Sequence, residues 1–170
     1  MKAEFKQQII DLLDQHRIMT VATNRPDGWP QATIVGYVND GLAIYCFVGR
    51  AGQKFTNISR DSRVSLAIGN DYPQPLQIKG LSIGGRAAET TDPAELKRVM
   101  ELMLKRYPEY AAMPMPGPEV IAVLRITPEI VSILDYSKGF AHTDLVAVGE
   151  TDLPKHLGSS RHTWLAPRAA

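Results

Sequence analysis

Apolar positions change period several times along the chain, and each change marks an element. From Ala3 to His16 the residues Phe5, Ile9, Leu12 and Leu13 recur at near-helical spacing, which predicts an amphipathic helix packed by one face. Ile18 to Thr23 is rich in β-branched residues and reads as a strand, followed by a turn over Asn24-Arg25-Pro26-Asp27-Gly28. Pro30 to Val38 resumes an extended pattern, Asn39-Asp40-Gly41 is a hairpin signal, and Leu42 to Val48 is the expected return strand of an antiparallel meander. In that strand Leu42, Ile44, Cys46 and Val48 fall on one face and Ala43, Tyr45 and Phe47 on the other. Both faces are apolar, so the strand needs cover on both sides: a barrel interior on one, and a helix, a ligand or a partner subunit on the other.

Val64 to Ile68 alternates as a wall strand, Gly69 to Pro75 is a loop, and Leu76 to Arg86 is a further strand in which Gly84-Gly85 predicts a bulge or sharp bend. Asp92 is a good N-cap, with Pro93 at the first helical position and Glu95 in capping-box register. Leu96, Val99, Met100, Met103, Leu104 and Tyr107 then form one stripe, with the methionines as core filler. Four prolines in the stretch from Tyr107 through Pro118 predict a loop. Val120 to Thr127 and Ile130 to Asp135 read as two strands separated by Pro128, and Tyr136 to Val146 is a polar and aromatic stretch. Short strands, glycine bends and few helices predict an α+β, mainly β, small antiparallel split barrel with flanking helices, in one domain over residues 1–150 with a tail over 151–170.

Composition narrows the function classes. In 170 residues, 44% apolar and 22% charged content is that of an ordinary globular protein, and 19 Lys+Arg against 18 Asp+Glu gives no global pull toward nucleic acid or membrane. The lone Cys46 cannot form an internal disulfide, and inside an apolar strand it reads as a small buried hydrophobe. With no signal-peptide core near Met1 and no membrane-length apolar run, a cytoplasmic location is expected. The histidines His16, His142, His156 and His162 lack metal-ligand spacing. Trp29, in a turn, and Trp164, in the tail, read as surface or dimer packing.

Candidate chemistry is concentrated between Tyr45 and Ile58, where an apolar strand enters a glycine-bearing basic loop and then a helical turn. Unpaired amides at a helix start, glycines that permit close approach, and the cations Arg50 and Lys54 make an anion-binding layout; the alternative is a surface turn with two solvated cations. His142, with Lys138 and Asp144, could present a proton donor or cation toward a ligand, or simply cap the barrel.

The order of Thr20-Val21-Ala22-Thr23, Asp27-Gly28-Trp29-Pro30-Gln31-Ala32-Thr33, Leu42 to Phe47, Lys54-Phe55-Thr56-Asn57-Ile58, Asp61 to Leu66, Ile78-Lys79-Gly80 and Arg86-Ala87 resembles the flavin-binding split-barrel family that includes pyridoxamine 5′-phosphate oxidase. The resemblance covers roughly Ile18 to Asp135 and implies a homodimer with FMN in a groove between subunits. It implies that Lys54 pairs with the FMN phosphate, that Arg50 and Gln53 stand in the approaching loop, and that Asn57 follows in the helical turn. Gln31, Thr33 and Val35 would border the flavin ring, with Tyr45 and Cys46 on the strand leading to the phosphate loop and Gln77 near the flavin; Lys138 and His142 are candidates on the substrate side. Gly52-Gln53-Lys54 stands where the oxidase has serine-arginine-lysine, Gln31 replaces an arginine, and the oxidase's arginine-rich C-terminal substrate signature is missing. The reading is therefore an FMN-dependent oxidoreductase exchanging electrons with a nicotinamide or a small substrate, without extension to vitamin B6 chemistry. Its alternatives are a flavin, haem or deazaflavin carrier or stress protein, and a cofactor-free interaction module.

Overall fold

The computed structural model describes residues 1–154; the expected tail beyond Pro154, with His156, His162 and Trp164, lies outside the described residues. Helix α1 (Ala3–Gln15) precedes strands β1 (Ile18–Asn24), β2 (Pro30–Gly36), β3 (Val38–Asp40) and β4 (Ala43–Gly49). Helix α2 (Gln53–Arg60), β5 (Arg63–Gly69), β6 (Lys79–Glu89), α3 (Pro93–Arg106), β7 (Ile121–Asp135) and β8 (Thr143–Ala147) follow. All strand pairs are antiparallel, in the order β2-β1-β5-β6-β7-β4-β3, with β8 added to β7. This is the mainly β, curled antiparallel sheet with helices that the sequence predicts.

One expected connection is different. Pro30 to Val38 is not one strand within a meander: it breaks at Tyr37, so that β2 joins β1 at one sheet edge while β3 joins β4 at the other. The reason is a polar anchor at the break. The Tyr37 amide donates to Arg17 O at 3.2 Å and to Tyr107 Oη at 3.1 Å, and its hydroxyl donates to Leu13 O at 2.7 Å. β2 and the part of β4 that β3 leaves uncovered therefore approach each other without pairing, and the barrel is split between them.

Both faces of β4 are buried, as its sequence requires. Leu42, Ile44, Cys46 and Val48 point into the main core with Met19, Val21, Leu66, Ile83, Leu124 and Ile126. Ala43 and Tyr45 point the other way, into a second cluster with Val99, Met103 and Tyr107, so the cover on that side is α3. Burying each of these large side chains stabilises the helix–sheet contact by about 1.5–3 kcal/mol. Leu104, on the edge of the α3 stripe, stays exposed.

Asp92 caps α3 by accepting from the Glu95 amide at 2.7 Å. Glu95 does not complete the expected capping box. Its carboxylate turns under the helix, where it accepts from Tyr45 Oη at 2.8 Å, from Thr90 Oγ1, and from Arg125 Nη1 at 3.1 Å.

Residues 121–135 form one strand rather than two. Pro128 is tolerated because β7 pairs with β4 only through Ile126 and with β8 only from Ile130, so the missing N–H falls where that edge has no partner. Across β7, the register to β6 shifts between Gly84 and Gly85, at the predicted bulge. The next strand boundary also moves: Pro75–Gln77 is a 3₁₀ turn and β6 begins at Lys79, not Leu76. No helix among the described residues is long and apolar enough to cross a membrane.

Candidate functional site at the mouth of the split barrel

The loop after β4 carries the residues that the sequence singles out. Gly52 is the N-cap of α2 and its amide donates to Gly49 O at 3.0 Å, a turn so tight that a Cβ at Gly52 would lie 3.1 Å from that oxygen. The amides of Gln53 and Lys54, first in the helix, have no acceptor among the described residues. Lys54 and Asn57 are three residues apart and share a helical face. Asn57 is fully buried; its amide donates to Thr23 Oγ1 at 2.9 Å and Gln31 Oε1 at 3.1 Å, while Gln53 Nε2 donates to Asn57 Oδ1 at 2.8 Å. The sequence candidates Gln31, Gln53 and Asn57 thus converge, Lys54 is their neighbour on α2, and Asn57 is the clamp holding α2 against β1 and β2.

In register, Gln31, Thr33 and Val35 of β2 stand opposite Thr23, Val21 and Met19, so they face the concave side of the sheet. Thr33 Oγ1 is buried there without a hydrogen-bond partner. Gln31 Nε2 and Lys54 Nζ likewise have no acceptor among the described residues. Partial burial holds the Lys54 pKa below the ordinary lysine value, while the nearby Cys46 acts in the opposite direction. A partly desolvated ammonium without a counter-ion among the described residues, on the same helix start as two free amides, has the donor set of an anion site, and the unsatisfied donors of Gln31 and Thr33 lie on the strand that Asn57 clamps.

Other candidates lie elsewhere. Arg50 does not join Lys54: its Nε donates to Pro118 O at 2.6 Å and Nη1 donates to Glu89 Oε2 at 3.2 Å, so its charge is spent on a carboxylate. Tyr45 points under α3 and donates to Glu95, on the face of β4 away from the core. Burial, partly offset by the charge of Lys54, pushes the Cys46 thiol up to about 12. Folded protein at pH 8 should therefore leave Cys46 unmodified by iodoacetamide, and denaturant should expose it; labelling of the native chain, read by mass spectrometry, would contradict this packing.

Gln77 sits in an exposed turn beyond the far end of β5, roughly 20 Å of strand from α2, where Tyr136 N donates to Ile78 O at 3.0 Å. Lys138 and His142 occupy the neighbouring hairpin and both reach Asp144 Oδ2, at 3.2 and 3.3 Å. Within the chain these three residues are separate from the Lys54 cluster. Among the described residues no group of three or more His, Cys, Asp or Glu is placed to hold a metal.

The sequence pattern did not reveal an apolar hollow at the split. Gly36 at the end of β2, Phe47 of β4, Met103, Tyr107, Tyr110 and Ile121 line about 320 Å³ roofed by Met113 to Pro116. These residues are distant in sequence, and a proline-rich segment gives no periodic signal.

A family model described as pyridoxamine 5′-phosphate oxidase matches residues 5–135 of the chain. The chain belongs to the pyridoxamine 5′-phosphate oxidase family. A putative pyridoxamine 5′-phosphate oxidase from Listeria innocua is 26% identical, with a TM-score of 0.64 over 77% of this chain and 98% of its own. A conserved hypothetical protein from Mycobacterium tuberculosis is 27% identical, with a TM-score of 0.66 over 89% of this chain and 94% of its own. A haem-binding protein from Mycobacterium smegmatis shares the fold at 20% identity, with a TM-score of 0.69 over 86% of this chain and 58% of its own. No curated protein matches the chain in sequence. The family relationship agrees with the fold and leaves the choice of cofactor to the site itself.

Proposed function

We propose that this member of the pyridoxamine 5′-phosphate oxidase family is an FMN-binding flavoprotein that exchanges electrons with a nicotinamide or a small molecule. The observation that carries the reading is the unpaired Lys54 ammonium at the start of α2, beside the free amides of Gln53 and Lys54 and the unsatisfied donors of Gln31 and Thr33. A terminal phosphate matches this set: it needs charge, helix-start amides and a dry rim. Gln53 and Asn57 position the helix that presents Lys54, and the backbone of β2 near Thr33 and Val35 would border the ring. A flavin supplies the hydride and electron chemistry when bound; the chain binds, orients and excludes water.

The reading includes a homodimer. On the outer face of the sheet, Ala32 and Ile34, Thr20 and Ala22, Ser65 and Ala67, Ser82, Ser132 and Leu145 follow one another across β2, β1, β5, β6, β7 and β8, and none is charged. Ile34 and Leu145 are strongly exposed on that face. A second copy packed there would cover them, and the second copy is also the route by which Gln77, Lys138 and His142 could reach a groove beside Lys54.

Purified protein should be yellow, or take up added FMN, and Lys54→Ala should weaken FMN binding by about 10- to 100-fold, the equivalent of one charged hydrogen-bonding partner. Failure to bind FMN, or equal binding by the variant, would overturn the flavin reading. Anaerobic reduction of bound flavin by NADH or NADPH would separate an enzyme from a carrier.

A haem-binding relative supports a second reading in which the same groove holds haem. A Soret band after titration with hemin, without flavin uptake, would favour it.

A further inference from the structure

The hollow at the split continues into a second one of about 400 Å³, and the two share Phe47, Met115, Pro116 and Ile121. Together they form a groove on the outer face of β4, between α3 and the segment from Met113 to Pro118. Each is in the size range of small-molecule sites. Their walls are thioether and aromatic: Met100 and Met103 from the helix, Met113 and Met115 from the strap, and Tyr107 stacked on Tyr110 with ring centroids 5.3 Å apart. Methionine sulfur adapts its shape to a flat ring and makes favourable contacts with aromatic faces.

Charge and backbone restrict the occupant further. Among the described residues, Arg50 and Glu89 are the only formally charged ones lining the two hollows, and they neutralise each other while Arg50 ties the strap through Pro118 O at 2.6 Å. An anionic guest would have to compete with Glu89, and a cationic one with Arg50. At the strap end a peptide finds little to bond, because the backbone there is paired internally, Arg50 N to Val120 O at 2.9 Å and Thr90 N to Val123 O at 3.0 Å. At the mouth, Met113 is 55% and Met115 41% exposed, apolar surface that a neutral ring would cover.

We propose that this groove binds a neutral, planar, fused-ring small molecule. Its standing as the substrate pocket rests on the flavin reading above; its binding of such a molecule does not. The groove is separate from the Lys54 cluster, since Lys54 lines neither hollow.

Equilibrium dialysis of the full chain with menadione, and with the planar charged derivative 1,4-naphthoquinone-2-sulfonate, tests the proposal. Cys46 is buried, so a thiol adduct does not mimic binding in the folded protein. Menadione should bind at least about tenfold more tightly than the charged derivative, and Met115→Glu should weaken menadione by at least about tenfold, or 1.4 kcal/mol, with an unchanged melting temperature. Lys54→Ala should leave menadione binding intact. No binding of menadione, equal binding of the two forms, or full binding by Met115→Glu would overturn the proposal. Loss of menadione binding in Lys54→Ala would also overturn it, because the probe would then share the anion site. Loss of FMN binding with menadione retained would count against the flavin reading alone.

Discussion

Glu95→Ala should lower the stability of the fold by about 3 kcal/mol, the lower end for removal of one partner from a buried ion pair. The carboxylate lies under α3, accepting from the fully buried Tyr45 hydroxyl, from Thr90 and from Arg125. Its loss strands Tyr45 Oη and the Arg125 guanidinium in the second core cluster, and the stranded groups cost more than the pair was worth. For a chain of this size the loss corresponds to a fall of about 6–12 °C in melting temperature, measurable by calorimetry. Glu95→Gln should lose less, because the amide oxygen can still accept from Tyr45.

The same group predicts a pH dependence. Burial acts to raise the Glu95 pKa, but the hydrogen bonds from Thr90 and Tyr45 and the charge of Arg125 outweigh it and leave the carboxyl below the ordinary glutamate value. A carboxyl depressed in the folded state contributes stability that is complete above the unfolded pKa of about 4.3 and is lost as pH falls through the lower folded value. The wild-type advantage over Glu95→Gln should therefore be constant above about pH 5 and shrink in acid. An advantage that grew on acidification would show that Glu95 is protonated in the fold.

Gly85→Val should cost about 3 kcal/mol, at the upper end of the range for overpacking. A Cβ at Gly85 would lie 2.5 Å from Thr127 O and 3.1 Å from Pro128 Cα, and both are backbone atoms that cannot rotate away. The site is also where the β6–β7 register shifts, so relief would require the two longest strands to separate at their bend. Denaturant titration should show a lower midpoint. A variant as stable as wild type would mean that the bulge yields without cost.

Much of the architecture was legible because it is written locally. The Asp92-Pro93 start of α3, the Gly84-Gly85 bulge and the two apolar faces of β4 each follow from a short window of residues. What was not legible depended on partners far along the chain. Arg50 looks like a phosphate cation beside Lys54 until Glu89, 39 residues on, and Pro118, 68 residues on, arrive to occupy it. Glu95 has the right spacing for a capping box, but the buried Tyr45 hydroxyl and Arg125 compete for it more strongly than its own N-cap amide. Lys54 could be singled out because a helix start after a glycine loop leaves its amides unpaired whatever the rest of the chain does, whereas Asn57 came from the family resemblance alone.

Tyr37 gives the split barrel a property that neither β2 nor β4 has alone. β2 and β3 leave the two sides of the gap from one residue, and that residue is moored to α1 through Leu13 O and to the C-cap of α3 through Tyr107. The aperture between the two sides is consequently gauged from behind, by where the ends of the two helices, themselves joined through Arg106 to Asp14 and Leu13 O, hold that one residue.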